Sequence, residues 1–185
     1  MDVCAGNENN LVVCWMFCVE LYKGFSFEGE NFMIKYLVMD VDGTLTDGKI
    51  YIAPSGEAMK AFNIKDGYGI HDILIPSGVV PVIITGRTSD IVLNRCRELG
   101  ITEVHQGVKD KVEKLQSLVG DFSEVAYIGD DLNDFACMAA VKSLGGLVGC
   151  PADAVEKVKS IADFVATCNG GEGAVRDFVE WIIKK

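Results

Sequence analysis

From Tyr36 onward, short apolar runs alternate with segments of helical period, and this alternation constrains the fold more than any other feature of the chain. It is the pattern of a parallel β-sheet covered by helices on both faces. Strands are expected at Tyr36–Met39, Val80–Ile84, Thr102–His105, Val125–Ile128, Leu147–Val148 and Phe164–Ala166. Helices are expected at Tyr68–Ile75, Ser89–Leu99, Lys109–Val119, Asn133–Ala140, Ala154–Lys159 and Ala174–Ile183. Gly100 and Gly120 read as stops for the second and third of these helices, since a left-handed glycine commonly ends a helix. One segment breaks the alternation. Lys49–Ile52, the Pro54-Ser55-Gly56 turn and Ala58–Phe62 read as a β-hairpin inserted after the first strand. The fold class is therefore α/β, with three layers and a hairpin flap. A chain of 185 residues that is 49% apolar can fill one core of this kind.

The first 32 residues have a different character. Polar MDVCAGNENN leads into the apolar LVVCWMFCVELY and then KGFSFEGENF. The apolar run is too short to span a bilayer and lacks the basic start and small-residue cleavage site of a secretory signal. Residues 1–32 are thus expected to be an N-terminal extension outside the domain of residues 33–185. The purine-rich codons that Glu28-Gly29-Glu30 permit suggest a true translation start at Met33. N-terminal sequencing of the natural protein would test this, and finding Met1 or Asp2 would refute it.

The formal charge of −10 has no compensating Lys/Arg cluster, which argues against nucleic acid and membrane partners. An anionic substrate would have to be held by a few local cations, a metal and backbone N–H groups. The seven cysteines form no C-x-x-C pair and no zinc spacing. They read as reduced, buried thiols of a cytoplasmic protein.

Four stations carry chemistry, each after an expected strand. The first is Asp40-Val41-Asp42-Gly43-Thr44-Leu45-Thr46-Asp47-Gly48. In open α/β sheets, ligands bind beyond the carboxyl ends of strands, so both Asp40 and Asp42 fall at the expected crevice. Two carboxylates so placed suit different tasks: one attacks phosphorus while bound to a metal, and the other shuttles a proton to the leaving oxygen. The second station, Thr85-Gly86-Arg87, offers a hydroxyl and glycine-turn N–H groups near a helix start, an anion cradle. The third is a lysine, Lys111 or its alternative Lys109, placed to neutralise a transferred phosphoryl group. In the fourth, Gly129-Asp130-Asp131-Leu132-Asn133-Asp134, three aspartates in five residues would repel one another without a hard cation such as Mg²⁺. Asp130 at the strand end suits the metal. Asp131 and Asp134, at the mouth of the next helix, suit orientation of metal-bound water or of Lys111.

In this order the four stations resemble the haloacid-dehalogenase-like superfamily from Met33 to nearly the end of the chain. D-x-D-G-T-x-T-x-G and G-D-D-x-x-D are specific to its phosphatase branch. Within that branch the chain looks like the capless, tetrameric phosphatases of 3-deoxy-D-manno-octulosonate 8-phosphate. Asp47-Gly48, Gly56-Glu57 to Phe62 with Asp66-Gly67-x-Gly69, Thr85-Gly86-Arg87, and Gly170-Gly171-x-Gly173-Ala174-Val175-Arg176 carry that likeness. The resemblance implies a Rossmannoid sheet with no cap domain, and hydrolysis of a phosphorylated acidic sugar with Mg²⁺ through an aspartyl-phosphate. It implies Asp40 as nucleophile and metal ligand, Asp42 as acid/base and main-chain metal ligand, and Asp130 on the metal. It also implies Thr85, Gly86 and Lys111 on the phosphate, and Arg87 facing the sugar carboxylate. A related branch acting on nine-carbon sialic-acid-type 9-phosphates carries Glu in place of Arg87 and Lys in place of Glu98, which disfavours that substrate here. A non-catalytic subunit of a sugar-nucleotide synthetase is a further alternative that the intact stations disfavour. The hairpin residues Ile50, Ile52, Met59 and Phe62 are expected to be exposed and to pack against neighbouring subunits, with a neighbour's Gly170–Arg176 turn helping to close the pocket.

Overall fold

The computed structural model describes residues 34–185; the expectations for residues 1–32, and for Met33 as a start, lie outside the described residues. Six parallel strands form one sheet: β1 (Tyr36–Met39), β4 (Val80–Ile84), β5 (Glu103–His105), β6 (Val125–Ile128), β7 (Leu147–Cys150) and β8 (Phe164–Val165). Their spatial order is β5-β4-β1-β6-β7-β8. The first strand in sequence is therefore central, with Tyr36 in register with both Val80 and Val125. Successive strands first grow to one side of β1 and then to the other, and the crevice at such a reversal is where open α/β sheets bind ligands.

Alternation along β1 shows why both faces must be covered. Leu37 and Met39 enter one core with Ile83, Ile128 and Phe178, whereas Val38 enters the other with Val82, Tyr127 and Met138. The first face is covered by α1 (Ile64–Tyr68) with the wider turn Gly69–Leu74 that continues it, by α2 (Asp90–Glu98) and by α6 (Ala174–Ile182). The second is covered by α3 (Lys111–Leu118), α4 (Leu132–Ser143) and α5 (Glu156–Lys159). Among the described residues Cys96, Cys137 and Cys150 are free and buried, whereas Cys168 is free but only half-buried; Cys4, Cys14 and Cys18 lie outside the described residues.

The structure corrects several boundaries. The helix expected at Tyr68 begins at Ile64, because the Asn63 side chain accepts from Lys65 N at 2.8 Å and caps an earlier start. Gly100 ends α2 in the left-handed region (φ 73°), but Gly120 is no such stop: α3 ends at Leu118 and Val119 is already extended. The hairpin consists of β2 (Tyr51–Ala53) and β3 (Gly56–Met59), so its second strand starts at Gly56, two residues before the expected Ala58. Ile50, Ile52 and Met59 are exposed, Ile52 at 74%. Phe62 is not: it packs against the first core.

Candidate active site

The loop after β1 winds around a single carbonyl. Val41 O accepts the N–H of Leu45 and of Thr46, each at 3.0 Å, and the Thr46 hydroxyl at 3.2 Å. This curl aims Asp40 and Asp42 in different directions. Gly43 sits in the left-handed region at φ 97°, and a Cβ there would lie 2.1 Å from Asp130 Oδ2, so only glycine lets the two motifs meet. From below, Gly170 presses on the same loop, since its own Cβ would lie 1.8 Å from Gly43 O. Gly171 N donates to Thr44 O at 3.1 Å. The Gly170–Gly171 turn thus supports its own chain's Asp40–Gly48 loop, a role that the expectation of a neighbour's turn did not include.

Asp40 is 3% exposed. Lys111 Nζ bridges it to Asp134, donating to Oδ1 of each at 2.7 Å. Asp110 places this lysine by accepting from Val112 N and Glu113 N, which caps α3 and leaves Lys111 in the first turn. An ammonium is disfavoured there by the helix dipole, and the two buried carboxylates offset that. Burial works to lower the Lys111 pKa, but Asp40 and Asp134 outweigh it and the net shift is upward. Lys109, the alternative, is exposed.

Asp134 is fully buried and spent on support. Its Oδ1 also accepts the Tyr127 hydroxyl at 2.8 Å, and its Oδ2 accepts Asp130 N at 3.2 Å. It completes a capping box with Asp131, whose exposed side chain accepts from Leu132 N at 2.7 Å. Asp131 therefore starts α4 and does not reach Lys111, while Asp134 orients it.

Asp130 accepts from the Thr44 hydroxyl at 2.9 Å. Carboxylate oxygens of Asp40, Asp130 and Asp134 all lie within 4.8 Å of one another. Burial, then the charge of Asp134, raises the Asp40 pKa to about 6. Burial, then the charge of Asp40, raises that of Asp130 to about 7. Such a cluster of buried oxygens fits a hard divalent cation, which would relieve the repulsion that a single ammonium leaves. Because the oxygens of Asp134 are taken, Asp40 and Asp130 are the side chains that can hold it.

Asp42 faces the other way. Its Oδ1 accepts from Lys60 Nζ, and Arg87 Nε stands 3.6 Å from its Oδ2. The Arg87 guanidinium, 45% exposed, also donates to Glu57 Oε1 at 3.2 Å, tying it to the hairpin. Thr85 is buried at the end of β4, its N–H donating to His105 O and its carbonyl accepting from Val108 N, with Gly86 exposed beside it. The structure thus brings the expected residues to one end of the sheet, where Asp131 also caps the helix that follows.

Four residues escaped the sequence reading: Thr44, Tyr127, Glu57 and Lys60. Thr44 lies inside the first motif, and its alternation with Thr46 was a signal. Lys60 had none beyond being the one cation near the end of an apolar hairpin.

No family model matches the chain. A curated 3-deoxy-D-manno-octulosonate 8-phosphate phosphatase of Yersinia pestis is 44% identical over 154 residues, covering 81% of this chain and 80% of that protein. The Escherichia coli K12 enzyme of the same name is 42% identical over 154 residues, covering 81% and 79%. Among solved structures, the Moraxella catarrhalis phosphatase in complex with magnesium ion, phosphate ion and KDO superposes with a TM-score of 0.75 at 40% identity, over 82% of this chain and 87% of that one. A HAD-superfamily hydrolase of Legionella pneumophila gives 0.75 at 36%, over 82% and 83%. On identities of 42–44% over four fifths of its length, the chain belongs to the 3-deoxy-D-manno-octulosonate 8-phosphate phosphatase family of the HAD superfamily.

Proposed function

We propose that this chain hydrolyses 3-deoxy-D-manno-octulosonate 8-phosphate to the free sugar acid and phosphate, with Mg²⁺ and through a covalent aspartyl-phosphate. One observation carries the reading: the two aspartates of a single loop are placed in different electrostatic settings. Asp40 sits with Lys111 and the acidic cluster, the setting of a phosphoryl acceptor, and Asp42 faces the more exposed rim of paired charges, with Lys60, Glu57 and Arg87, where a leaving group would sit.

In the first step an Asp40 oxygen bonds to phosphorus as the ester P–O bond breaks, and Asp42 gives its proton to the departing sugar oxygen. In the second, water attacks phosphorus, Asp42 takes the proton back, and the Asp40–phosphorus bond breaks to release phosphate. Asp40 and Asp130, with the Asp42 main chain, would hold Mg²⁺, which would supply neutralisation of the phosphoryl charge. Lys111 stabilises the same charge, with Thr85 and the Gly86 turn on the remaining oxygens. Asp134 holds Lys111. Arg87 offers a planar fork to the sugar carboxylate.

The exposed hairpin residues support assembly into a closed homotetramer in which a neighbour's hairpin completes the sugar pocket. Among the described residues no helix is long and apolar enough to cross a membrane. The free thiols support a cytoplasmic enzyme. A hydrolysis screen across eight- and nine-carbon sugar-acid phosphates, with and without EDTA, tests the reading. Metal-dependent preference for the eight-carbon ester is expected, and preference for a nine-carbon ester or metal-independent turnover would reject it.

A further inference from the structure

Asp40 and Asp42 each carry a buried lysine, and the proposed reaction uses only one of those lysines. Lys60 follows β3 directly, at the base of the hairpin, with its side chain 2% exposed. Its ammonium donates to Asp42 Oδ1 and lies 3.1 Å from Glu57 Oε1. Glu57 also accepts from the Ser89 hydroxyl, at the start of α2, and from Arg87. Asp42 is therefore held through one oxygen. The other, Oδ2, has Arg87 Nε at 3.6 Å, beyond hydrogen-bonding distance.

A hairpin base can be closed by an apolar side chain without desolvating a charge, whereas a buried ammonium persists only when it is paired. Here both partners are carboxylates that reach the rim of the active site. The arrangement fits orientation: a proton donor must present one oxygen to the leaving atom within hydrogen-bond reach, and an unrestrained Asp42 could rotate either oxygen inward.

We propose that Lys60 is a positioning residue for proton transfer, holding Asp42 Oδ1 so that Oδ2 alone meets the ester oxygen, with Glu57 holding Lys60 in turn. This rests on the assignment of Asp42 as acid/base above. As the Asp40–phosphorus bond forms and the ester P–O bond breaks, the proton moves from Asp42 Oδ2 to the sugar oxygen. Lys60 keeps its own protons throughout. The hairpin thereby contributes to the chemistry as well as to assembly.

The test compares Lys60→Met, Lys60→Arg and Glu57→Gln in the full chain, with assembly followed by light scattering. The rate of leaving-group release in the first turnover at saturating ester, before the water step that both esters share, is measured with KM on two esters: 3-deoxy-D-manno-octulosonate 8-phosphate, whose alkoxide leaving group needs a proton, and p-nitrophenyl phosphate, whose phenolate leaves without one. Lys60→Met is expected to lower this first-turnover rate on the sugar ester by about 10²-fold, and on the aryl ester by less than about threefold. Lys60→Arg, which keeps a cationic donor, should recover at least about tenfold of that loss, and Glu57→Gln should fall between. Equal losses on both esters, a loss in KM alone, or a wild-type first-turnover rate would overturn the proposal by reducing Lys60 to a clasp of the hairpin. Should Lys60→Met not assemble, the ratio of the two first-turnover rates in Glu57→Gln decides: a lowered sugar-to-aryl ratio supports the proposal and an unchanged one overturns it. Asp42→Asn in the same assay separates the two levels. If it shows no leaving-group dependence, the role of Asp42 in the proposed function fails; if it does and Lys60→Met does not, only the role of Lys60 fails.

Discussion

The half of the site built on the sheet and the half built on the hairpin solve the same problem by different means. Asp40, Lys111 and Asp134 are at most 5% exposed, and each is placed by backbone: a strand end, a capped helix start, the first turn of α4. Asp42, Glu57 and Arg87 have side chains 18–45% exposed and are placed by one another. Charges fixed by secondary structure in a dry interior interact strongly and tolerate little change. Charges that hold one another at a rim interact weakly and can exchange partners with a substrate. The first arrangement suits a phosphoryl group common to every substrate, and the second suits the variable sugar.

The sharpest way to break this contrast is Asp40→Asn. The amide is a poor nucleophile and an uncharged ligand, so turnover of every ester should fall to background. Substantial residual activity would remove the covalent role, and a full loss restricted to sugar esters would erase the distinction between the halves. Next is the pair of lysines. Lys111→Met should abolish activity and cost about 3 kcal/mol in urea unfolding, because it leaves two buried carboxylates without their cation. Lys60→Met should cost about 1 kcal/mol or less, since its partners keep contact with water. Equal destabilisation would show that the rim is as rigid as the interior.

Metal removal probes the sheet half alone. EDTA should abolish activity and Mg²⁺ restore it. The folded-state pKa values of Asp40 and Asp130, about 6 and about 7, lie above the ordinary carboxylate value near 3.8. Acids raised in this way bind more protons folded than unfolded between those limits, so the metal-free protein loses stability as pH rises from about 4 to about 7. The thermal shift on adding Mg²⁺ should therefore be larger at about pH 7.5 than at about pH 5; an equal shift at both would place the metal elsewhere. The smallest effect is expected at Ile52, the most exposed apolar residue of the hairpin. If the hairpin joins subunits as proposed, Ile52→Glu should weaken assembly in sedimentation and lower sugar-ester turnover severalfold, while leaving p-nitrophenyl phosphate hydrolysis nearly intact. Unchanged assembly would exclude this face from the proposed interface.

The same division explains what could be read from the chain. All six strands were legible, and the four followed by stations stood out because each couples an apolar run to an acidic or glycine-bearing turn, and local sequence decides both. Asp134 was recognised but its burial was not, since that depends on Tyr127 pointing to the face shared with α4. Phe62 was misjudged because the hairpin's second strand starts at Gly56 and ends at Met59, returning the chain to the core three residues later. Lys60 and Glu57 were invisible as a pair. Their contacts with Asp42 and Ser89 span 18 and 32 residues and follow from how the hairpin leans over the sheet, which no local pattern encodes.

The Gly170–Gly171 turn beneath the nucleophile loop also bears on how the molecule is made. A ribosome delivers β1 early, yet this strand is central and finds its second neighbour, β6, only after residue 125 has emerged. The loop carrying Asp40 and Asp42 then waits longer still for its floor, because Thr44 O receives Gly171 N from a segment close to the last helix. Nascent chains therefore carry Asp40, the proposed nucleophile, for most of their synthesis without the frame that aims it. Activity should switch on late and all at once, and fragments ending before Gly170 should be inert even where their sheet has formed.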